Sequence, residues 1–417
     1  MPQEFMKRVF MWYSPKTLFF KYLKNSKIEG FRGLNQALRS GKTLQQPGDP
    51  SQVPPAKRPQ PGGISPAASF AAGFTQNLPH TPPNMVKSEP KEVFFMQYRK
   101  IQGTALTVPM LCLGTMMFGG QTLEEESLKI MDYAFDQGMY FWDTADFYLQ
   151  GAGESVVGKG LKGRRDRIIL ASKVGNQMGD DPNAHGLSRL HILNAIDASL
   201  KRLGTDYLDI YYLHRPDYDT DIEETMYTMD MLVRAGKIRY IGVSNFAAWQ
   251  VADILAVCDK RGYAKPVVTQ NVYNALTRGI EGEFVPFLKA HKMSMLIYNP
   301  IAAGLLAGKH KPGAPTDSTR FANSKEYYDR YWNDENFEAV EKLKKIAEGQ
   351  GMSLIQLAFK WCASQPHVTG ILTGVSKLSQ LEQNLTFFGG DLLNAETLAA
   401  CDEVWRSLAG TRFAYNR

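Results

Sequence analysis

Cysteine is scarce in this chain, with four in 417 residues (Cys112, Cys258, Cys362 and Cys401). They lie far apart, at no spacing that suits a disulfide framework or a metal centre. That excludes a disulfide-stapled secreted module and a zinc domain, and leaves reduced, buried thiols in an intracellular protein as the expectation. Long apolar runs are also missing. Nothing approaches the roughly 20 residues needed to span a bilayer, and the stretch Phe10–Phe20 is broken by Ser14, Pro15 and Lys16, so no membrane span and no secretory signal are expected. Acids are nearly absent from residues 5–42, where Glu29 stands alone among Lys7, Arg8, Lys16, Lys21, Lys24, Lys27, Arg32, Arg39 and Lys42. A formal charge of +6 that gathers in such a tail reads as a solvated segment. It does not read as a nucleic-acid face, which needs its cations clustered on one surface. A cytoplasmic protein with a basic tail is expected; organellar targeting by residues 5–42, which an acid-poor basic stretch also suits, is the alternative.

Proline marks the next boundary. Gln45–Glu92 holds 11 of the 22 prolines, and a segment of that composition buries too little apolar surface to fold. Residues 1–95 are therefore expected to be a disordered extension, and 96–417 one folded domain. Met96 stands at the junction as a possible alternative start.

From Tyr98 onward, short β-branched or apolar runs alternate with amphipathic stretches of helical period. The strands predicted are Met110–Gly114, Tyr140–Asp143, Arg167–Lys173, Leu208–His214, Ile238–Ser244, Val267–Gln270, Met293–Tyr298 and Thr369–Thr373. Helices are predicted over Leu123–Gln137, Ser188–Leu203, Ile222–Ala235, Ala248–Arg261, Glu283–His291 and Glu338–Gly349. Ser188 reads as an N-cap, and Gly138, Gly204 and Gly236 as helix stops. Eight strands with interleaved helices over about 300 residues fit an α/β (β/α)8 (TIM) barrel better than an open sheet. Ala302–Trp332 interrupts the alternation as a long segment with little periodicity. Gly158–Gly163 matches the GxGxxG spacing, but it follows a helical stretch and precedes a strand. The dinucleotide fingerprint needs the reverse order, so this is a helix end and a turn.

Polar residues recur where the predicted strands end: Asp143, Lys173, His214, Ser244 with Asn245, Gln270 and Tyr298. The carboxyl ends of barrel strands converge on one face, where active sites are built. A lysine ending the apolar run Ile168–Leu170 is costly to bury unless it meets a carboxylate, and Asp143 is the natural partner.

Asp143-Thr144-Ala145 with Tyr148, Ser172-Lys173, Tyr212–Asp217, Gly236–Phe246 and Gly374-Val375-Ser376, in that order, make the chain similar to the aldo-keto reductase superfamily from Met96 to about Leu408. The resemblance implies reduction of aldehydes or ketones by NADP(H), with Asp143, Tyr148, Lys173 and His214 as the catalytic tetrad and no metal. Tyr148 would protonate the nascent alkoxide, and Lys173 is expected to lower its pKa. Asp143 would position Lys173, and His214 would polarise the carbonyl. By the same resemblance Ser244, Asn245 and Gln270 grip the carboxamide and Tyr298 stacks on the nicotinamide. Gly304, Leu305, Leu306, Gly308 and Lys309 cover the pyrophosphate with Arg320, and Ser376, Lys377, Gln380 and Asn384 meet the adenosine phosphate. Lys377 favours NADP over NAD. A second class shares the barrel and the tetrad: NADPH-binding regulatory subunits such as channel-associated β subunits. A small carbonyl compound is the expected partner, and its identity, the oligomeric state and the direction of reaction are open. Loops around Met116–Gly120, Gln150–Gly153, Asn176–His185 and Phe321–Trp332 and the tail Arg412–Arg417 are expected to form its pocket, with Phe118, Tyr327, Tyr328, Tyr331 and Trp332 as apolar lining or packing.

Overall fold

The computed structural model describes residues 96–317 and 319–410; the 1–95 extension and the Arg412–Arg417 tail lie outside the described residues. Tyr98–Lys100 (β1) and Thr107–Pro109 (β2) pair as an antiparallel hairpin. Then come Leu111–Gly114 (β3), Glu124–Asp136 (α1), Phe141–Asp143 (β4), Ala152–Gly160 (α2), Ile169–Val174 (β5), Arg189–Leu203 (α3), Leu208–Leu213 (β6), Ile222–Arg234 (α4), Ile238–Ser244 (β7), Ala248–Arg261 (α5) and Pro266–Val272 (β8). Phe284–Ala290 (α6), Ser294–Tyr298 (β9), Arg320–Asn323 (α7), Lys325–Tyr331 (α8), Asp334–Gly349 (α9), Leu354–Ser364 (α10), Gly370–Gly374 (β10), Leu378–Thr386 (α11) and Ala395–Ala409 (α12) complete the chain. Strands β3 to β10 form a closed parallel ring in sequence order, with β10 returning to β3 through Ile371 and Leu111. The fold is a (β/α)8 barrel. All eight expected barrel strands are present, each within two residues of the predicted start and end.

Alternation along the strands explains both the core and the site. Side chains two apart on a strand share a face. Cys112, Phe141, Ala171, Ile210, Tyr212, Val268, Leu296 and Leu372 fill the barrel interior with Ile101 and Val108 of the hairpin region. One step further along the same face, Phe141 leads to Asp143, Ala171 to Lys173, Tyr212 to His214 and Val268 to Gln270. The interior is thus apolar below and polar at the carboxyl end. The other face of each strand packs the larger apolar layer under the helices, including Trp142, Leu170, Tyr211 and Val243. Gly242 of β7 makes this interior possible: a Cβ there would lie 2.4 Å from the Tyr212 ring.

The hairpin closes the amino end. Gln102 N–H donates to Ser294 Oγ at 2.9 Å, Tyr98 OH to the Gly138 carbonyl at 3.0 Å, and Arg99 Nη2 to the Ala363 carbonyl at 2.9 Å. Ser188 caps α3 by accepting from His191 N–H, and Gly138, Gly204 and Gly236 adopt φ of 82°, 65° and 74°, as their helix-stop reading requires. Gly158 and Gly160 belong to the end of α2; a Cβ on Gly158 would lie 2.7 Å from the Arg202 carbonyl oxygen. The glycine serves close helix packing. The segment Ala302–Trp332 holds more regular structure than its sequence suggests, with a 3₁₀ turn at Ala302–Ala307 followed by α7 and α8. Its helices are four and seven residues long, too short for a 3.6 period to register. The four cysteines are buried and unbridged, and no helix among the described residues is long and apolar enough to cross a membrane.

Candidate active site

Lys173, with 1% of its surface exposed, forms an ion pair with Asp143, itself 2% exposed. The ammonium also donates to the Thr144 carbonyl at 2.7 Å and to Tyr148 OH at 3.4 Å. The second Asp143 oxygen accepts from Gln270 Nε2 at 2.8 Å. Both ions are hydrogen-bonded on several sides, which is what a buried pair needs to be tolerated. Burial works against the Lys173 charge, yet Asp143 and Tyr148 outweigh it and hold the pKa above that of an ordinary lysine.

Tyr148 differs from expectation. Lys173 does pull its pKa down, but burial is the larger effect, and the phenol ends above its usual value. A desolvated phenolate loses more hydration than one ammonium at 3.4 Å returns. Tyr148 is therefore a protonated hydrogen-bond donor at neutral pH.

His214 lies 6.2 Å from Tyr148, ring centre to ring centre, edge to face. Burial, with Lys173 and Arg215, pushes the imidazole down to about 3, so the ring is neutral. Asn176 Nδ2 donates to His214 Nδ1 at 2.8 Å. That leaves the proton on Nε2, the tautomer that can donate to a carbonyl oxygen. The sequence marked the loop containing Asn176 but not this role; an amide beside a strand end carries no periodic signal.

The loop bearing Tyr148 is held under strain. Leu149 and Gln150 both sit at φ 52°, a region L-residues avoid and functional sites retain. Gln150 Oε1 accepts from Gly179 N–H at 3.0 Å and its Nε2 donates to the Gln177 carbonyl at 3.2 Å, tying this loop to the one carrying Asn176. Behind it, the fully buried Glu154 accepts from Ser172 Oγ at 2.5 Å and from Arg202 Nε at 2.7 Å. Asp146, also fully buried, has its carboxyl raised to about 7 by burial and by Glu154. Sequence reasoning missed both acids, because Asp146 and Glu154 look like solvated charges in loop and helix contexts.

The residues expected around a cofactor fall into three groups. Ser244 and Gln270 are buried towards the carboxyl ends of β7 and β8; Asn245 Nδ2 donates to the His214 carbonyl at 3.1 Å and to Ser244 Oγ at 3.0 Å, and Asn245 Oδ1 accepts from Tyr298 OH at 2.7 Å. Gln270 braces Asp143. Beyond Tyr298, Ala302, Ala303 and Gly304 adopt φ of 50°, 57° and 107°, while Leu305 and Leu306 are buried in the core. Gly308 and Lys309 are exposed. Arg320 reaches across to Met117, Nη2 to Sδ 3.1 Å, with its guanidinium 5.2 Å from the Tyr327 ring centre. After β10, Gln380 Oε1 accepts from Ser376 N–H at 2.9 Å, and the buried Asn384 donates to Thr373 Oγ1 at 3.0 Å. Ser376 and Lys377 line a cavity of about 590 Å³ together with Gln121 and Glu126, two residues the sequence did not flag. Among the aromatics, Phe118 and Tyr331 are fully buried packing, and Trp332 sits against Phe321 and Phe337. Tyr328 is 41% exposed. No group of potential metal ligands occurs among the described residues.

The barrel mouth thus gathers an acid, an amine, a phenol and a neutral imidazole, groups able to donate hydrogen bonds and to exchange a proton with a bound polar molecule. Residues 110–406 match the sequence model of the Aldo/keto reductase family, and the chain belongs to that family and is an NAD(P)H-dependent oxidoreductase. It is 36% identical to a probable voltage-gated potassium channel subunit beta of Arabidopsis thaliana over 297 residues, which is 70% of this chain and 90% of that one. It is 32% identical to aflatoxin B1 aldehyde reductase member 2 of Rattus norvegicus over 329 residues, 75% and 88% of the two chains. A third relative, aldo-keto reductase YhdN of Bacillus subtilis (strain 168), is 35% identical over 308 residues, 72% and 91%.

Proposed function

We propose that this protein reduces small aldehydes or ketones to alcohols with NADPH, and that Tyr148 is the proton donor. The observation that carries this is the Lys173–Tyr148 contact of 3.4 Å beside a neutral His214. When bound, the dinucleotide supplies the hydride. The chain does the rest. His214 Nε2–H and Tyr148 OH converge on the carbonyl oxygen and stabilise the negative charge that grows there. Tyr148 then gives its proton to that oxygen, and Lys173, held charged by Asp143, stabilises the phenolate left behind. The raised phenol pKa suits this direction, because the proton is present at neutral pH and needs only the developing alkoxide to draw it away.

The residues present fit a dinucleotide. Tyr298 offers a ring at the mouth above Ser244 and Gln270. The left-handed backbone at Ala302–Gly304 comes shortly before the exposed Lys309 in the chain, and Ser376 with Lys377 lines a cavity. Backbone amides and cations in that sequence suit phosphates. Lys377 supports NADPH over NADH through the 2′-phosphate.

A second reading follows from the likeness to potassium channel β subunits: a barrel that binds NADPH and regulates a partner. One experiment separates the two. NADPH consumption is followed with a panel of aldehydes and ketones, wild type beside Tyr148→Phe, with dinucleotide affinity measured on both. The reductase reading expects kcat to fall by about 10²–10⁴ in the variant, with NADPH affinity unchanged. Tight NADPH binding without turnover in either protein removes it and promotes the regulatory reading.

A further inference from the structure

The end of the last barrel strand carries a charge arrangement that bears on which dinucleotide the site takes. β10 runs through Val375, Ser376 and Lys377 into α11, a helix of nine residues. Loops after the last two strands of such a barrel, with the N-terminus of a short following helix, frequently hold a phosphate. The reason is that the first backbone N–H groups lack partners and the helix dipole favours an anion. Lys377, at the N-cap of α11, adds a cation.

Here the first of those N–H groups is already engaged. Leu378 N–H donates to Glu126 Oε1 at 2.7 Å. Glu126 comes from α1, across the cavity of about 590 Å³ that Gln121, Ser376 and Lys377 also line. A second carboxylate, Glu382, stands in the same wall. The cations of this neighbourhood do not offset them: Lys129 is paired with Glu125 and Lys159 with Glu124. Lys377 therefore shares its cavity with two carboxylates.

A carboxylate and a 2′-phosphate compete for the same amide and repel each other. A carboxylate and a ribose 2′-hydroxyl are acceptor and donor, which is how an acidic side chain selects NAD in other nucleotide sites. We infer that Glu126 sets the dinucleotide selectivity of this barrel. It competes with the 2′-phosphate of NADPH for the N-terminus of α11 and accepts from the 2′-hydroxyl of NADH, so that NADH is a working cofactor alongside NADPH. The inference rests on the dinucleotide reading above and specifies selectivity at that same site.

The test is a fluorescence titration of the full chain with NADPH and with NADH, for wild type, Glu126→Gln and Lys377→Met. Glutamine keeps an oxygen for Leu378 N–H and removes only the charge, so α11 stays capped; a thermal melt of each variant checks this. Glu126→Gln is expected to tighten NADPH about tenfold while moving NADH by no more than about twofold. Lys377→Met is expected to weaken NADPH and leave NADH unchanged. In the wild type, which needs no variant to fold, the two affinities are expected within about tenfold of each other. A wild-type preference for NADPH above about a thousandfold overturns the inference. So does an NADPH-to-NADH ratio that Glu126→Gln leaves unchanged; both results leave the reductase reading standing. A wild type that binds neither dinucleotide removes both readings.

Discussion

The two sides of the barrel mouth are built differently. On the side of β4, β5 and β6, Asp143, Lys173, Tyr148 and His214 are buried or half-buried and tied to one another and to Gln270 and Asn176. On the side of β9 and β10, Lys309 is exposed, Arg320 rests on a thioether, and Lys377 lines an open cavity. The β4–β6 side carries a connected set of ion pairs and hydrogen bonds, whereas on the other side Lys309, Arg320 and Lys377 form no ion pair among the described residues, although Glu126 already engages Leu378 N–H. Preorganisation is worth most where charge develops during the reaction, because donors already in place need not reorganise then. Phosphate binding needs only cations and amides within reach.

Replacing residues in the two halves should therefore have different signatures. The largest effect is expected from Lys173→Met. It leaves Asp143 buried without its partner, and urea unfolding should show a loss of about 3–5 kcal/mol together with lost turnover. A variant of wild-type stability would mean that Asp143 is neutral in the fold and that the preassembled half is less electrostatic than described. Arg320→Met should do the reverse: dinucleotide affinity weaker by about tenfold, since a charge-assisted phosphate contact contributes about 1.5–3 kcal/mol, with the melting temperature and the rate at saturating cofactor unchanged. A drop in melting temperature would erase the distinction between the two halves. The smallest and most diagnostic effect belongs to Asp146→Asn. An ordinary aspartate titrates near 3.8, and in the fold this one is raised to about 7. Between those values the folded chain binds more protons than the unfolded one, so this group's contribution to stability falls as pH rises through the window and is lost above about 7. The asparagine variant should melt above wild type at pH 8, by a few degrees, with the gap closing towards pH 4. A gap that ignores pH would mean that Asp146 is not proton-linked to folding.

How much of this the sequence could tell depended on which signals were local. Strand ends were legible because the period of two changes from apolar to polar at Phe141–Asp143, Ala171–Lys173 and Val268–Gln270 within a few residues. The four residues proposed as a tetrad could be picked out because Asp143, Lys173 and His214 stand at or just past those ends, with Tyr148 in the turn after Asp143, in a motif order shared with a family. Asn176 and Glu126 were not legible, since each acts on a residue far away in sequence, on His214 past the end of the neighbouring strand and on Leu378 across most of the chain. The pKa of Tyr148 was misjudged for a related reason. Lys173 is visible as a partner in the sequence, but the burial that outweighs it arises only when the whole ring has closed.

That ring closes late. Leu111, near the start of the described domain, hydrogen-bonds beside Ile371, near its end, and contacts so distant in sequence are slow to form because loop entropy must be overcome first. During synthesis the chain emerges amino end first. The strands bearing Asp143, Lys173 and His214 are available to pair with each other while β10 and the helix bearing Leu378 have yet to be made. The acid–base half can therefore assemble as a partial sheet with one edge strand, β3, waiting for its neighbour. An exposed parallel edge is also a template for wrong pairing, so the final fifth of the chain, by pairing β10 with both β9 and β3, closes the two open edges on which the nascent barrel can aggregate.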